Sequence, residues 1–453
     1  MFSSRALRAG ATAVALIAFS TAGASAESLK AALTAAYATN PNITSALLSV
    51  NSAAENVALS KSGKLPTIGA SASATESAGA AIGGGGIATS SNYQIGLSYS
   101  QTIFDNLKTD AEVEQSRALS EVATYALRSE EQTVLLSVVN AYMNVILNTQ
   151  LVKLRQDTMN FYQTQVKASQ DRLKIGEGTK IDVSQAQASL ASAVASYKAA
   201  IAGVQSSQAS YVRWVGHRPS NLSGNYNFGS LIPSSVDRAI ALADDLHPAI
   251  LAARAGIRAA QAGSDAANAA FGPTVSVIGS VCGLLCSSTN ATTVAGSVKL
   301  SLNVPIYAGG ALGAGSRKAN IAQIKSSVDA QSARDQVNEA VVTSWTALQN
   351  AIAQIDSAKS ALDANQLALD GVIQERDVGQ QTTLDVLNAE ATLTTAKEAL
   401  ITATSTRVVA AFSLIASTGR LSARDLGLAT PTKSGEAYAS KIEDVWGELR
   451  SVK

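Results

Sequence analysis

The chain has 453 residues, of which 46% are apolar and only 15% charged, against roughly 25% charged in ordinary globular proteins. Aromatics make up 5% and there are 8 Pro, so Ala and small aliphatics carry the apolar total, as long helices packed closely side by side would require. A balance of 35 basic against 34 acidic residues argues against a nucleic-acid partner; the apolar fraction excludes disorder; two Cys and two His are too few for a disulfide scaffold, a metal cluster or a His-dependent triad.

Residues 1–26 read as a secretory signal: Arg5 and Arg8 are the basic start, Ala11 to Phe19 the apolar run, and Ala24-Ser25-Ala26 the small-residue cleavage site. No Cys follows that site, so nothing implies an N-terminal lipid. No later uninterrupted apolar run reaches about 18 residues, and no transmembrane helix is expected.

An Ala-rich helical stretch at about 28–62 is closed by Pro66. Strict alternation follows, first Ile68, Ala70, Ala72 and Ala74 against Gly69, Ser71 and Ser73, then Tyr93, Ile95, Leu97 and Tyr99 against Gln94, Gly96, Ser98 and Ser100. Such a period marks strands with one apolar and one polar face. The intervening loop, Ser77 to Ser91, holds Gly83 to Gly86, which is no phosphate cradle because no Gly-Lys-Ser/Thr follows. A Pro-free helix then runs from about 107 to 175, roughly 100 Å at 1.5 Å per residue. Gly176 takes the place of a helix C′ residue, and Thr179 with Asp182 fits an N-cap and capping box opening a returning helix at about 180–216.

The same plan is then repeated. His247-Pro248 answers Asn40-Pro41, and Pro273-Thr274 answers Pro66-Thr67, at an offset of 207 (248 − 41). Ile306-Tyr307 answers Ile103-Phe104, and Gly379, Thr382 and Asp385 answer Gly176, Thr179 and Asp182, at 203 (379 − 176). A helical stretch at 235–270 therefore precedes a second hairpin, with Val275, Val277, Gly279 and Val281 on one strand and Val298, Leu300, Leu302 and Val304 on the other. Its loop is read as Cys282 to Thr293. Long and returning helices follow at about 311–378 and 383–419. The long helices share a heptad seam, Val341, Leu348, Ile355, Leu362 and Leu369 matching Val138, Val145, Val152, Met159 and Val166. The returning helices carry small residues at sevens, Ala389, Ala396, Ala403 and Ala410 matching Ala186, Ala193, Ala200 and Ser207, which lets paired helices approach closely. The organisation is thus a unit at 27–219, a linker at 220–234, a second unit at 235–421 and a polar tail at 422–453.

Two hairpins give four strands, too few to close a barrel, since the smallest membrane barrels have eight. An open sheet in lipid leaves edge N–H and C=O groups unsatisfied at several kcal/mol each. Strands of this kind in a membrane must be pooled between copies, with Tyr93 and Tyr99 as interfacial aromatics. On pattern alone, a soluble sheet capping a helical bundle is the other reading.

The duplicated order of helix, hairpin, long helix, glycine turn and returning helix resembles the TolC family of outer-membrane efflux and secretion channels. The run Val378-Gly379-Gln380-Gln381-Thr382-Thr383-Leu384-Asp385-Val386-Leu387-Asn388-Ala389 resembles that family's second helical-hairpin tip, and Ile175 to Ala186 resembles the first. The resemblance implies a mostly α, α+β homotrimer whose 12-stranded barrel sits in outer-membrane lipid and continues into a long coiled-coil tunnel in the periplasm. It implies a passive duct rather than an enzyme, without cofactor or metal, joined to a periplasmic adaptor and an inner-membrane pump or ABC transporter, with the linker and tail forming a belt around the tunnel. Cargo is open between proteins, drugs and metal ions; Tyr438 and Trp446 in the tail are faintly like type I secretion members. A soluble exported coiled-coil scaffold or adhesin is the alternative, whereas an exported hydrolase lacks a nucleophile–base pair.

By the same resemblance, Asp385 occupies the first of two acidic positions ringing the periplasmic entrance, while the second carries Asn388. Three Asp385 carboxylates favour cations in a narrow ring; on residues alone, Asp385 is equally a helix cap. Asp182 matches an acidic member of the links that hold such channels closed, and its partner position is Arg376, predicting an Asp182–Arg376 salt bridge. Gln381 stands where a second linking Arg is expected. Adaptor contact is expected around Gly176, Thr179, Gly379 and Thr382. Cys282 and Cys286, in the expected outward loop of an exported chain, are candidates for a disulfide, with free thiols or metal binding as alternatives. His217 and His247 read as structural.

Overall fold

The computed structural model describes residues 26–79, 88–224, 229–286 and 291–442. The proposed leader apart from Ala26, the glycine run Gly83 to Gly86, and Trp446 lie outside the described residues. The first unit comprises α1 (Leu29–Thr39), α2 (Pro41–Lys61), β1 (Thr67–Gly79), β2 (Ala88–Phe104), α3 (Lys108–Lys174) and α4 (Lys180–Val215). The second comprises α5 (Val236–Leu246), α6 (Pro248–Ala269), β3 (Thr274–Cys286), β4 (Ala291–Asn303), α7 (Ala311–Asp377) and α8 (Thr383–Ser417), and α9 (Glu436–Ile442) lies in the tail.

Each opening helical stretch is two helices, not the single one expected. Pro has no N–H to donate and disfavours helix in the residue before it, so a new helix starts at Pro41 and at Pro248. Asn40 and His247 stand extended before them and cap them, accepting from the N–H of Asn42 at 2.9 Å and of Ala249 at 3.2 Å.

The four strands form one antiparallel sheet in the order β1-β2-β3-β4. Register aligns Ala70 with Leu97, Leu97 with Val281 and Val281 with Gly296, so the alternating apolar residues of all four strands share a face. That face is uncovered: Ile68 is 77% exposed and Val298 84%. Tyr93 and Tyr99 lie on it, six residues or roughly 20 Å apart along β2. Among the described residues β1 and β4 are unpaired edges within the protomer.

One expectation fails here. β3 continues through Cys286, so Cys282 lies in a strand opposite Gly96 and not in a loop. Cys282 is a free thiol, near the Gln94 amide at 2.9 Å. Four residues along a strand span about 13 Å, beyond the roughly 7 Å Cα separation a disulfide tolerates. Cys282 and Cys286 therefore do not bridge.

Long helices continue the strands, and α2, α3, α6 and α7 lie side by side in the same lateral order as the strands. On the other side of the core, α4 pairs with α3, and α8 packs against both α7 and α3. The heptad seam is the packed one: Val138, Val341, Leu348, Ile355 and Leu369 are buried, and Ala186, Ala193, Ala396 and Ala403 are the close-contact residues of the returning helices. The main core lies at mid-length, where Tyr37 of α1, Leu135 and Val138 of α3, Tyr211 of α4 and Ile415 of α8 meet Leu421 of the tail. α3 and α8 each hold a stretch apolar enough to cross a membrane by length and composition, which the sequence reading had not anticipated. Both supply this core.

The tail is strapped to the first unit. Glu131 accepts the Ala423 N–H at 2.5 Å, the Lys433 N–H donates to the Tyr37 hydroxyl at 2.7 Å, and the Tyr438 hydroxyl donates to Glu55 at 2.6 Å. Burial pushes the Glu131 carboxyl above its ordinary range. Leu421 is fully buried in this strap. Replacing it with Ala is expected to cost about 2–5 kcal/mol, seen as a lower melting temperature in detergent and faster proteolysis within 422–442.

Candidate gate at the helical tips

The two helical hairpins end in matched turns. The Gly176 and Gly379 backbones both have φ of +81°, open to glycine at no steric cost. Around Gly379 the chain closes as a Schellman turn, with the Gly379 N–H donating to Arg376 O at 2.9 Å and the Gln380 N–H to Glu375 O at 2.8 Å. Both expected capping boxes form. In the second, Asp385 Oδ2 accepts from the Thr382 hydroxyl at 2.6 Å and from the Thr382 N–H at 2.9 Å. These bonds hold the Asp385 carboxyl below its ordinary range, so it stays ionised at the tip. Asp182 takes the matching pair of bonds from Thr179, at 2.7 and 2.9 Å. Gln381 and Asn388 are exposed. So are the apolar residues flanking the turns: Ile175, Ile181, Val378 and Leu384.

The expected Asp182–Arg376 salt bridge does not form within the protomer. Asp182 is engaged in its cap, and Arg376 turns instead to its neighbour Asp377, at 2.8 Å, and across to Gln165 of α3, at 3.0 Å. Arg172, near the end of α3, reaches the same Asp377 oxygen at 3.1 Å. Asp377 thus receives one guanidinium from each hairpin, and the hydrogen bonds from Arg376 chiefly hold its carboxyl below the ordinary range. Sequence reasoning missed Arg172, Asp377 and Gln165. Arg172 and Asp377 look like solvated helix-end residues and Gln165 like an ordinary polar position along α3, and only the relative height of α3 and α7 brings them together.

Further from the tips, polar groups concentrate between the hairpins. The Thr158 and Thr394 hydroxyls are 3.1 Å apart, the Tyr162 hydroxyl donates to Leu387 O at 3.3 Å, and Arg155 pairs with Glu398. Glu390 is buried in this seam with Thr394 as its hydrogen-bond partner at 3.3 Å. Within the second hairpin the contact is apolar, through Leu369, Val386 and Leu393. The arrangement is a pair of rigid coiled coils joined by hydrogen bonds and ion pairs. Among the described residues no cluster of three or more potential metal ligands occurs. His247 serves as a helix cap, and burial lowers its imidazole pKa.

An uncovered apolar sheet continuous with long paired helices is the protomer plan of an outer-membrane channel protein. The sequence profile of the outer membrane efflux proteins matches residues 32–217 and 239–420, the two repeats in turn, and the chain belongs to that family. It is 34% identical over 442 residues to the outer membrane efflux protein BepC of Brucella suis biovar 1 (strain 1330), across 94% of this chain and 92% of that one. It is 25% identical over 427 residues to the outer membrane protein TolC of Escherichia coli (strain K12), across 88% of this chain and 84% of that one. The solved Campylobacter jejuni CmeC outer membrane channel shares the fold with a TM-score of 0.77 at 16% identity, over 92% of this chain and 89% of that one. The open state of the Neisseria gonorrhoeae MtrE outer membrane channel does so with a TM-score of 0.70 at 21% identity, over 86% and 88%. The protein is accordingly a passive channel of the outer membrane with its helical tunnel in the periplasm, and not an enzyme.

Burial raises the Glu390 carboxyl pKa above its ordinary 4.5. The native state then holds a proton that the unfolded chain releases near that value, so this contribution is full at low pH and is lost as pH rises through the native pKa. Glu390→Gln is expected to flatten the dependence of melting temperature on pH between about pH 4 and 8 and to raise it at neutral pH. Identical profiles for the two proteins count against a buried acid in the seam.

Proposed function

We propose that three copies assemble into the exit duct of a tripartite efflux or type I secretion system, closed at its periplasmic end by links between the helical hairpins. The observation that carries this reading is the open sheet: its apolar face is bare and both its edges, β1 and β4, are unpaired within the protomer. In lipid each unpaired backbone group costs several kcal/mol. Because four is even, β4 of one copy meets β1 of the next antiparallel, and head-to-tail pairing generates a ring. Three copies give 12 strands, the number that the family resemblance implies.

The helical edges support the same pairing. α7, on the β4 side, exposes Ile321, Ile324 and Val328 at helical spacing, and α2, on the β1 side, exposes Leu48 and Leu59. A groove of about 720 Å³ between α7 and α8, lined by small residues including Ala353, Ala361, Thr402 and Ala403, suits a helix from the neighbouring copy. The proposed leader at 1–26 and the boundaries at 219, 235 and 421 agree with export followed by two units of one design.

At the tips, the exposed Ile175, Ile181, Val378 and Leu384 around the Gly176–Thr179 and Gly379–Thr382 turns form the docking surface for a periplasmic adaptor, which couples the duct to an inner-membrane pump or ABC transporter. Asp385 supplies a carboxylate ring at the entrance, with Asn388 adding no charge. Asp377, holding Arg172 and Arg376, does the work expected of Asp182 and Arg376 in keeping the hairpins together.

Two measurements test this. Mass determination in detergent is expected to give a trimer that conducts in planar bilayers; a water-soluble monomer without channels overturns the reading in favour of an exported scaffold. Asp377→Ala releases both arginines and is expected to raise single-channel conductance or opening frequency several-fold. Unchanged gating would remove Asp377 from the closing link.

A further inference from the structure

The strand register assigns Lys299 a position that the gate and the membrane anchor leave unexplained. Lys299 lies in the row Thr67–Ser100–Ile278–Lys299, on the polar face of the sheet. Its chain neighbours Val298 and Leu300 point to the apolar face, 84% and 71% exposed. With the apolar face toward lipid, Lys299 faces the lumen. Among the described residues of the four strands, every other position on this face is uncharged, chiefly Ser, Thr, Gly, Asn and Gln. Lys299 is four residues, about 13 Å, from Asn303 at the end of β4, and its row holds the first residue of β1. It therefore sits in the part of the sheet nearest the helices.

Two features mark this site as more than a solvated surface lysine. Lys299 makes no ion pair among the described residues, so its charge is not spent on a neighbour. Directly across the β3–β4 ladder stands Ile278, a large aliphatic among the small and polar residues of that face, 39% exposed. An apolar residue there gives the four-carbon stem a surface to lie along while the ammonium projects into water.

We propose that the Lys299 side chains of three copies form a cationic ring in the lumen of the membrane barrel and bias conduction there toward anionic solutes. The proposal rests on the trimeric reading above. Fixed charges lining a pore select by sign. Their field extends about 10 Å at 0.1 M ionic strength and about 3 Å at 1 M, so the bias is strong only in dilute salt. The duct then carries opposite charge at its two constrictions of interest, carboxylates at the periplasmic tips and ammoniums where the helices give way to strands. A carboxylate- or phosphate-bearing cargo that has passed the tips meets an attractive ring before the exit.

The test is the reversal potential in a salt gradient across a planar bilayer. Lys299, Lys299→Gln and Lys299→Glu are compared with wild-type tips and again with Asp377→Ala, which is expected to open the tips. The cation-to-anion permeability ratio is expected to rise about twofold or more for Lys299→Gln and further for Lys299→Glu, and the differences to disappear near 1 M salt. Equal reversal potentials for all three side chains in dilute salt, from channels of equal mass, overturn the cationic ring and leave the trimeric duct standing. Absence of channels from every variant, wild type included, overturns the duct itself.

Discussion

Backbone hydrogen bonding at the two edges of a four-stranded sheet governs this molecule. A strand in lipid has no water to satisfy its N–H and C=O groups, and β1 and β4 each present a row of them. Everything lateral about the fold follows the sheet. The helices that enter and leave the strands keep the strand order, so α2 and α7 become the flanks of the protomer just as β1 and β4 are its edges. In the proposed trimeric duct, the apolar side chains left exposed on those flanks have the same cause as the unpaired strands, the protomer being a segment of a closed wall. A sparse aromatic content and an Ala-rich composition suit a wall of helices packed side by side, where close approach matters more than bulk.

Much of this was legible because the chain repeats itself. Matching Gly176 with Gly379 and Pro66 with Pro273 fixed the units, alternation found the strands, and sevens found the seams. The losses have physical reasons. Alternation blurs at Gly283-Leu284-Leu285, so the pattern ends the strand too early and puts Cys282 in a loop when it lies in the ladder. At the tips the residues that cap were found and those that link were not. A cap is local, set by three residues of spacing, whereas the contact of Arg172 with Asp377 depends on how far one coiled coil is slid along another. No pattern within either helix encodes that height.

The copies have also diverged where they perform different work. Glu131 of α3 and Arg334 of α7 are equivalent positions at the 203-residue offset (334 − 131). Glu131 is buried and holds the tail by the Ala423 N–H, while Arg334 is exposed and bidentate to Asp244 at 2.8 and 2.6 Å. One tail serves two similar units and can cover only one. The unit it covers gains a buried acid that needs a backbone donor, and the other keeps a surface ion pair. The hairpin interiors are apolar, whereas the seam between them mixes apolar contacts of Phe161 and Leu387 with hydroxyls and charges. Apolar contact resists water and keeps each hairpin whole. Polar contact exchanges for water at smaller net cost, so in the proposed gating the hairpins part along their polar contacts.

The length of α3 beyond its core has a mechanical meaning. The main core reaches Val145, and the helix runs on to Lys174. Those 29 residues (174 − 145) form a rod of roughly 44 Å at 1.5 Å each, pivoted at one end. A tilt of about 5° at the pivot swings the tip by roughly 4 Å, more than the reach of a hydrogen bond. In the proposed gating, the contacts of Asp377 sit at the end of this lever, where a few bonds have the greatest mechanical advantage over a motion that the core barely registers.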